Sequence, residues 1–155
     1  MPKTNAIRIL ESRGIKFTTS DYEVNEDELD AVSVARKIGA DPETVFKTLV
    51  TIGDKTGYVV FIIPGNCELD LRKAAHASGN KRVEMIKMKD LMPVTGYIRG
   101  GCSPVGMKKL FPTFIDETAQ LYDGIHVSAG VRGTQMKLSP LDLKEAVRAE
   151  FADLI

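Results

Sequence analysis

The chain has 155 residues, and its 21 lysines and arginines are balanced by 21 aspartates and glutamates. A net charge near zero argues against a protein that coats nucleic acid through bulk charge, because phosphate neutralisation needs clustered cations; a local basic patch is still compatible with it. Hydrophobic residues make up 43% and charged residues 27% of the chain, which is typical of one soluble domain with a substantial core.

Two further features bear on the cellular compartment. Cys67 and Cys102 are far apart in the sequence and form no CxxC pair, so we interpret them as free thiols in a reducing cytosol. No stretch is apolar and long enough for a signal peptide or a membrane span. The sequence therefore predicts a cytoplasmic protein.

The predicted elements begin with a helix over residues 4–14, which stops at its glycine, and a strand over residues 15–24. A second helix over residues 30–39 has Asp30 as its N-cap and a glycine at its end. One turn starting at Asp41 and Pro42 then leads into the next strand.

The remaining chain alternates between strand and helix patterns. Two apolar runs flank the loop GDKTG and predict a β-hairpin. The next elements are a helix over 70–80, a strand over 82–86, a short helix over 87–93 ended by Pro93, strands over 113–117, 124–130 and 134–139, and a final helix over 139–151 capped by Ser139. Six or seven short strands with five helices predict an α/β or α+β domain, and the hairpins favour a mixed sheet.

Lys47 interrupts the apolar run of residues 46–52. Side chains alternate along a strand, so the lysine shares its face with Leu49 and Thr51. The other face is more apolar and is predicted to be the core; it carries Phe46, Thr48, Val50 and Ile52. The lysine either extends its stem over apolar surface to solvent, or lines a pocket where its cation meets a phosphate or an oxyanion. The pattern alone leaves both interpretations open.

A glycine-rich loop, GGCSPVG, occupies residues 100–106. Three glycines and one proline in seven residues permit positive φ angles and leave backbone N–H groups uncovered. Such amides can hold a phosphate or a carbonyl oxygen, although an ordinary turn has the same composition. No Gly-Lys-Ser/Thr follows, so the loop is not a Walker motif.

The sequence VSAGVRGTQ, residues 127–135, predicts a tight hairpin around Arg132. Ser128 and His126 do not form a nucleophile–base pair, because side chains two residues apart on a strand are separated by roughly 7 Å. His76 is expected at the surface of its helix. Two histidines without clustered carboxylates predict neither a metal site nor a cofactor, so catalysis would depend on positioning, electrostatics or groups of the substrate.

Six segments follow one another as they do in the YbaK/EbsC family of freestanding Cys-tRNA(Pro) deacylases: VFKTLV, LDLRKAA, KRVEMI, TGYIRGGCSPVGMKK, PTFID and HVSAGVRG. The chain resembles this family over essentially its whole length, and the strand lysine combined with TGY-x-x-GG-x-SP-x-G is specific. The family is related to the editing domain inserted in bacterial prolyl-tRNA synthetases. The resemblance implies one editing domain over residues 1–155, with a mixed, mostly antiparallel, barrel-like sheet and flanking helices around a small pocket.

The resemblance also implies roles for individual residues. Lys47 matches the family's required lysine and Gly101 its loop glycine, so both are expected to be catalytic. The expected substrate-binding residues are Tyr22, Thr48, Gly100, Ser103, Pro104, Gly106 and Ser128. The expected tRNA-binding residues are Arg99, Lys108, Lys109 and Arg132, with Arg72 and Lys73 as further candidate cations. Cys102 stands where members often carry a residue such as Ile, and we interpret it as a filler of a small apolar space.

The implied reaction is hydrolytic clearing of cysteine from proline tRNA, in which the substrate's own thiol attacks its ester and leaves as a cyclic thiolactone. Expected partners are aminoacylated tRNA(Pro) and prolyl-tRNA synthetase, with no DNA, membrane or cofactor, and the protein is either a monomer or a homodimer. Three alternatives stay open: a non-catalytic module that binds tRNA or the synthetase, a deacylase of another small aminoacyl group, and an enzyme that uses Lys47 as a Schiff-base nucleophile.

Overall fold

A computed structural model describes residues 3–155; Met1 and Pro2, the first residues of the predicted domain, lie outside it. The described chain contains five α-helices and eight strands. In chain order they are α1 Asn5–Ser12, β1 Phe17–Asp21, α2 Ala31–Ile38, β2 Phe46–Gly53, β3 Gly57–Pro64, α3 Leu71–Ser78, β4 Val83–Met85, α4 Met88–Thr95, β5 Thr113–Asp116, β6 Ile125–Ser128, β7 Thr134–Leu138, α5 Pro140–Val147 and β8 Glu150–Ala152. Short 3₁₀ turns cover Glu26–Glu28, Pro42–Thr44 and Glu117–Leu121.

The strands form two sheets. One is antiparallel with the order β1-β7-β6, and the other has the order β4-β2-β3-β5-β8. In the larger sheet β2 pairs antiparallel with β3 and β4, whereas β3–β5 and β5–β8 are parallel. The mixed α/β fold is therefore confirmed. The expectation of one barrel-like sheet is not, because the strands of residues 3–155 belong to two sheets that approach each other at a single bridge between Val45 and His126.

Helix ends follow the predicted capping chemistry for α2 and α3. Asp30 and Asp70 accept hydrogen bonds from the first free N–H groups of these helices. Gly39 and Gly79 end them in the left-handed conformation, with φ of 70° and 75°. Ser139 occupies the N-cap position of α5, but its side chain makes no capping hydrogen bond.

Pro93 does not end α4, which corrects the sequence prediction. The helix continues through Thr95, and Gly96 ends it with φ of 87°. A proline this close to the C-terminal end removes one N–H donor, and the remaining turn is closed by other bonds. The hydroxyl of Thr95 donates to the carbonyl of Leu91 at 2.7 Å, and the Gly96 N–H donates to Met92 at 2.9 Å.

The final helix is shorter than predicted, and an unexpected strand follows it. The α5 helix stops at Val147, Arg148 adopts φ of 52°, and β8 then adds to the sheet edge beside β5. A three-residue strand that pairs with residues far away in sequence has no local signal. Tertiary pairing therefore decides this segment.

The larger sheet separates two hydrophobic cores. On one face Phe46 and Val50 pack with α1 and the smaller sheet, and on the other Phe61 and Ile63 pack against α3. Ile52 was expected in the first core, but 44% of its surface is exposed. None of the helices in residues 3–155 has both the length and the apolar character needed to cross a membrane.

Candidate active site

A cavity of about 350 Å³ lies along the edge of β2. Its lining comes from α2 and the turn before it, β2, the β4–α4 segment, the glycine-rich loop and the smaller sheet. The lining residues are Leu29, Asp30, Ala31, Val34, Val45, Phe46, Lys47, Thr48, Leu49, Val50, Gly65, Met85, Ile86, Met88, Leu91, Arg99, Gly100, Cys102, Ser128 and Gln135. Segments that are distant in sequence thus meet at one strand edge.

The edge of β2 is open at the cavity because its neighbours pair with it only at the two ends. The β4 strand pairs with Thr51–Gly53, and β6 reaches only Val45. The Ile86 N–H donates to the carbonyl of Val50 on this side. Backbone groups alternate sides along an antiparallel strand, so Thr48, two residues earlier, presents its N–H and C=O to the same open edge.

Lys47 lines the cavity and is half-buried. Its ammonium makes no hydrogen bond or ion pair with any residue of the described chain, where the ion pairs join Lys3 to Glu11, Arg36 and Lys37 to Glu28, and Lys73 to Asp153. Lys47 and Thr48 point to opposite faces of β2, yet both line the cavity because the cavity follows the strand edge. A cation without a protein counter-ion is well suited to meet an anion of a ligand.

Three uncharged polar side chains share the cavity with the lysine. Thr48 Oγ1 and Gln135 Oε1 are buried and have no hydrogen-bond partner in residues 3–155. Ser128 is nearly buried, and its hydroxyl accepts a bond from the Gly130 N–H at 3.1 Å. Buried polar atoms are nearly always paired in folded proteins, so two unpaired oxygens in one cavity indicate groups reserved for a ligand.

Gln135 was not among the residues selected from the sequence. It lies directly opposite Ser128 in the β6–β7 ladder and therefore shares its face. Once Ser128 is assigned to a pocket, the register of the β6–β7 hairpin identifies Gln135 as its neighbour across the strands. The sequence pattern did not determine the length of the turn, so it did not determine this register.

The glycine-rich loop supplies the cavity wall through Gly100 and Cys102, not through Gly101. The Gly101 N–H is donated to the carbonyl of Ile98 at 2.9 Å, so it is not free to bind a substrate oxygen as expected. A Cβ atom at Gly101 would lie 3.1 Å from the backbone nitrogen of Arg132. Gly101 therefore allows close packing of two backbones, while the N–H groups of Gly100 and Cys102 have no acceptor among the described residues.

Ser103, Pro104 and Gly106 shape the loop instead of lining the large cavity. The Ser103 hydroxyl is buried and accepts the Val105 N–H at 3.2 Å. Pro104 and Gly106 line a separate cavity of about 160 Å³. A Cβ atom at Gly106 would lie 2.8 Å from the Tyr97 hydroxyl.

Tyr97 contacts both the glycine-rich loop and the β6–β7 hairpin. Its hydroxyl donates to the carbonyl of Val105 at 2.6 Å, and burial raises its pKa to about 12. Its ring also lies 2.9 Å from where a Cβ of Gly130 would stand, so it joins the loop to the β6–β7 hairpin.

The other expected residues are distributed around the site. Tyr22 does not line the cavity, and its N–H donates to Gly133. The expected tRNA-binding cations are partly engaged: Arg132 donates from Nε to the Arg99 carbonyl at 2.7 Å, and Lys108 donates to the Pro93 carbonyl at 3.2 Å. Only one of them, Arg99, lines the cavity; Lys109 lies at the smaller one.

The cavity contains one thiol, that of Cys102. Burial raises the pKa of Cys102 to about 12, against a hydrogen bond with Thr95 that lowers it. The thiolate form is therefore scarce near neutral pH. His126 lies outside the cavity lining, and its buried Nδ1 has no hydrogen-bond partner among the described residues, so it is not placed to act as a base for Ser128. Burial, together with Lys137, lowers its pKa. Residues 3–155 hold no group of three histidine, cysteine or carboxylate side chains placed for a metal.

Comparison with known proteins shows which family the chain belongs to. A family model described as the aminoacyl-tRNA editing domain matches residues 25–146. An Enterococcus faecalis protein, EbsC, provisionally named a Cys-tRNA(Pro)/Cys-tRNA(Cys) deacylase, is 53% identical over 152 residues, which cover 98% of this chain and 93% of EbsC. A proline–tRNA ligase of Shouchella clausii is 31% identical over 99 residues, covering 64% of this chain and 17% of the ligase.

Solved structures give the same picture. A crystal structure provisionally described as a trans-editing enzyme for prolyl tRNA synthetase is 28% identical, with a TM-score of 0.81, and the match covers 95% of this chain and 92% of that one. A second structure, of a hypothetical protein, is 20% identical with a TM-score of 0.88 over 97% of this chain and 99% of that one, and it shows the fold alone. The family match and the EbsC identity, which spans nearly the whole chain, establish that this protein belongs to the aminoacyl-tRNA editing domain family.

Proposed function

We propose that this protein is an aminoacyl-tRNA deacylase that removes cysteine from mischarged Cys-tRNA(Pro), with residues 1–155 acting as one editing domain in the cytoplasm. One observation carries the proposal: the unpaired ammonium of Lys47 and the unpaired oxygens of Thr48 and Gln135 share a single cavity. The name of EbsC specifies this reaction class, and EbsC is 53% identical.

The cavity offers groups for binding but no protein nucleophile. Its thiol is protonated and Ser128 has no adjacent base, as described above. The cysteinyl substrate brings its own thiol, whose sulfur can attack its ester carbonyl carbon. The bond between that carbon and the ribose oxygen then breaks, the ribose oxygen takes the proton, and a cyclic thiolactone leaves.

In this reaction the protein orients the ester and stabilises the oxyanion. Lys47 supplies a positive charge, and the free N–H groups of Gly100, Cys102 and Thr48 are candidate oxyanion donors. Thr48, Ser128 and Gln135 offer hydrogen bonds to the aminoacyl group. Orientation of this kind contributes about 7–11 kcal/mol in favourable cases, and one oxyanion donor about 2.7–4 kcal/mol.

The test is single-turnover deacylation of cysteinyl-, seryl- and alanyl-tRNA(Pro), with rapid trapping of the product. Cysteinyl-tRNA should react far faster, because it alone of the three carries a thiol that can attack the ester. A difference of one small group in binding is worth only about 1–3 kcal/mol, so a larger gap in rate must come from this chemistry. Equal rates, or free cysteine without a thiolactone, would contradict the thiol mechanism. No hydrolysis of any of the three would favour a binding module instead.

A further inference from the structure

The glycine-rich loop forms part of the cavity wall, yet regular secondary structure does not hold it there. Residues 97–112 form neither helix nor strand. Among the described residues, the one backbone–backbone hydrogen bond made by residues 99–107 is the local bond from Gly101 to Ile98. A segment with so few ladder bonds is easily displaced. Side chains must therefore hold the loop at the cavity.

Three side chains anchor the loop by donating hydrogen bonds to its carbonyl groups. They are Arg132 bonded to Arg99 at 2.7 Å, Asn5 bonded to Gly106 at 3.3 Å, and Tyr97 bonded to Val105 at 2.6 Å. The first two bonds are exposed and the third is buried. Water competes with an exposed bond, whereas a buried bond is electrostatically stronger and is costly to leave unmade. The loop therefore depends most on Tyr97.

Tyr97 is itself fixed at the end of α4 and is 8% exposed. Its N–H donates to the hydroxyl of Thr95 at 3.0 Å, and that hydroxyl donates to the carbonyl of Leu91 at 2.7 Å. Two glycines leave space for the side chain. A Cβ atom at Gly106 would lie 2.8 Å from the hydroxyl, and a Cβ atom at Gly130 would lie 2.9 Å from the ring. The ring is therefore confined between the loop and the β6–β7 hairpin.

Both of the segments that confine the ring carry groups of the cavity wall. Gly100 and Cys102 line the cavity from the loop, and Ser128 lines it from β6. The Ser128 hydroxyl accepts the N–H of Gly130, the same residue that the ring contacts. Tyr97 is not among the residues that line the cavity. It therefore supports the walls from outside the cavity and does not bind a ligand inside it.

We propose that Tyr97 is a positioning residue for deacylation, whose hydroxyl bond to Val105 and whose ring keep the N–H groups of Gly100 and Cys102 at a fixed distance from Ser128. This inference rests on the proposed deacylase function. It extends that function to a side chain that touches neither the substrate nor the reacting atoms.

The first test is Tyr97→Phe, which keeps the ring and removes only the hydroxyl. In steady-state deacylation of cysteinyl-tRNA(Pro), kcat should fall about 10-fold, because misplacing a group by about 1 Å can cost roughly 10²-fold in rate. KM should change less than about twofold, since Lys47 and Thr48 belong to β2 and keep their places. Tyr97→Leu also removes the ring and should lose more of kcat, so the phenylalanine restores part of the function. Rates are taken per folded molecule from urea unfolding curves.

The second test measures the position of the loop without any substrate. In a Cys67→Ser background, Cys102 is the single thiol of the chain, and its reaction with a thiol reagent reports how often the loop leaves its place. Tyr97→Phe should make this reaction several-fold faster. A tyrosine that only fills space would not change the rate when its hydroxyl alone is removed.

Tyr58→Phe is the matched control. Tyr58 is half-buried on β3, and its ring packs edge-on against Phe111 at 5.7 Å between centroids. Its hydroxyl makes no hydrogen bond within residues 3–155, and it does not line the cavity. Loss of this hydroxyl should change neither kcat nor the reactivity of Cys102.

Unchanged kcat per folded molecule, unchanged reactivity of Cys102, or a rise in KM at constant kcat in Tyr97→Phe would each overturn the positioning role. In these three cases the wild-type protein still deacylates cysteinyl-tRNA(Pro), so the proposed function stands. Failure of the wild-type protein to deacylate cysteinyl-tRNA(Pro) would overturn the proposed function and this inference with it.

Discussion

Lys47 lies in an apolar strand and has no ionic partner within residues 3–155, although it lines a cavity. A lysine retained for stability would normally have a counter-ion or project fully into solvent. The side chain is therefore more readily explained by what it binds. Its position on a paired strand fixes its direction, which a cation used for positioning requires.

Lys47→Ala should abolish deacylation without unfolding the protein, because the ammonium makes no internal contact that would be lost. Lys47→Arg should also be slow, since a planar fork does not replace a compact ammonium. The measurement is kcat/KM on cysteinyl-tRNA together with a urea unfolding curve. Lys55→Ala, in the exposed β2–β3 turn, is the control and should behave as wild type. Near-normal activity of Lys47→Ala would exclude the lysine from the site.

Thr48→Val should separate activity from stability. The hydroxyl is buried without a partner, and removing an unsatisfied buried polar group from an isosteric side chain relieves a cost of about 1–3 kcal/mol. We expect equal or higher stability in urea and a lower kcat/KM, because the substrate loses one hydrogen bond. A loss of stability with full activity would show that Thr48 is a packing residue.

The pH dependence should follow the substrate's thiol. Burial holds the pKa of Cys102 at about 12, and burial holds that of His126 below its usual range, so Cys102 stays protonated and His126 neutral between pH 7 and about 9. A cysteine thiol of ordinary pKa, near 8.5, ionises in this interval. The logarithm of kcat/KM for cysteinyl-tRNA should therefore rise with pH up to about 8.5 and then level off.

Cys102→Ser provides the comparison, since it removes the cavity thiol and should leave the shape of this profile unchanged. If Cys102→Ser abolished the pH dependence of kcat/KM, the nucleophile would be the thiol of the protein and not that of the substrate. A flat profile in the wild type would show that thiolate formation does not limit the reaction.

At the scale of elements, the loop of residues 98–106 depends on glycines for two different physical reasons. Gly101 leaves little space for a side chain, because the backbone of Arg132 lies 3.1 Å from the position of a Cβ atom and would have to shift. Gly106 is both crowded by Tyr97 and fixed at φ of 84°. One glycine therefore sets how closely the loop approaches the β6–β7 hairpin, and the other sets its fold.

Gly101→Ala should lower activity more than stability, because the loop must shift to accommodate the methyl group and would move Gly100 and Cys102 at the cavity wall. Gly106→Ala should mainly destabilise, by about 1 kcal/mol or more from backbone strain and crowding. Thermal unfolding and single-turnover rates of both variants test the contrast. Unfolding of Gly101→Ala without a specific loss of rate in the folded fraction would show that the loop is only structural.

The sequence predicted most elements, because their signals are local. Asp30 and Asp70 as caps, and Gly39 and Gly79 as helix ends, are confirmed. What it did not predict depends on long-range pairing. The β8 strand exists only beside β5, and Gln135 is recognised only through the register with Ser128.

The same limit applies to the candidate site. Lys47, Thr48, Gly100 and Ser128 were selected through the family resemblance and do line one cavity. Ser103, Pro104 and Gly106 belong to the same motif but do not line this cavity. Ser103 bonds within the loop, and Pro104 and Gly106 line the smaller cavity. A motif keeps residues that bind and residues that shape the backbone side by side, and only the fold separates them.

For the whole molecule, the balance of 21 cations and 21 anions limits how RNA can be recognised. The cations expected to contact tRNA are few, and Lys73, one of them, is paired with Asp153 at 3.1 Å. Each phosphate contact contributes to a salt-dependent affinity, so a short list of contacts gives weak binding. Under the proposed function the cavity reads the aminoacyl group, which does not distinguish tRNAs of different identity.

We therefore expect the isolated protein to bind tRNA weakly and to deacylate cysteinyl-tRNA(Pro) and cysteinyl-tRNA(Cys) at similar rates. Selection of proline tRNA would then come from a complex with prolyl-tRNA synthetase. The measurement compares the two rates with and without the synthetase, in parallel with tRNA affinities at two salt concentrations. Addition of the synthetase should raise the ratio in favour of proline tRNA, and a synthetase unable to bind tRNA should not. Tight binding that already discriminates proline tRNA in the isolated protein would mean that this small neutral surface reads the RNA body directly, and that no partner is needed for selection.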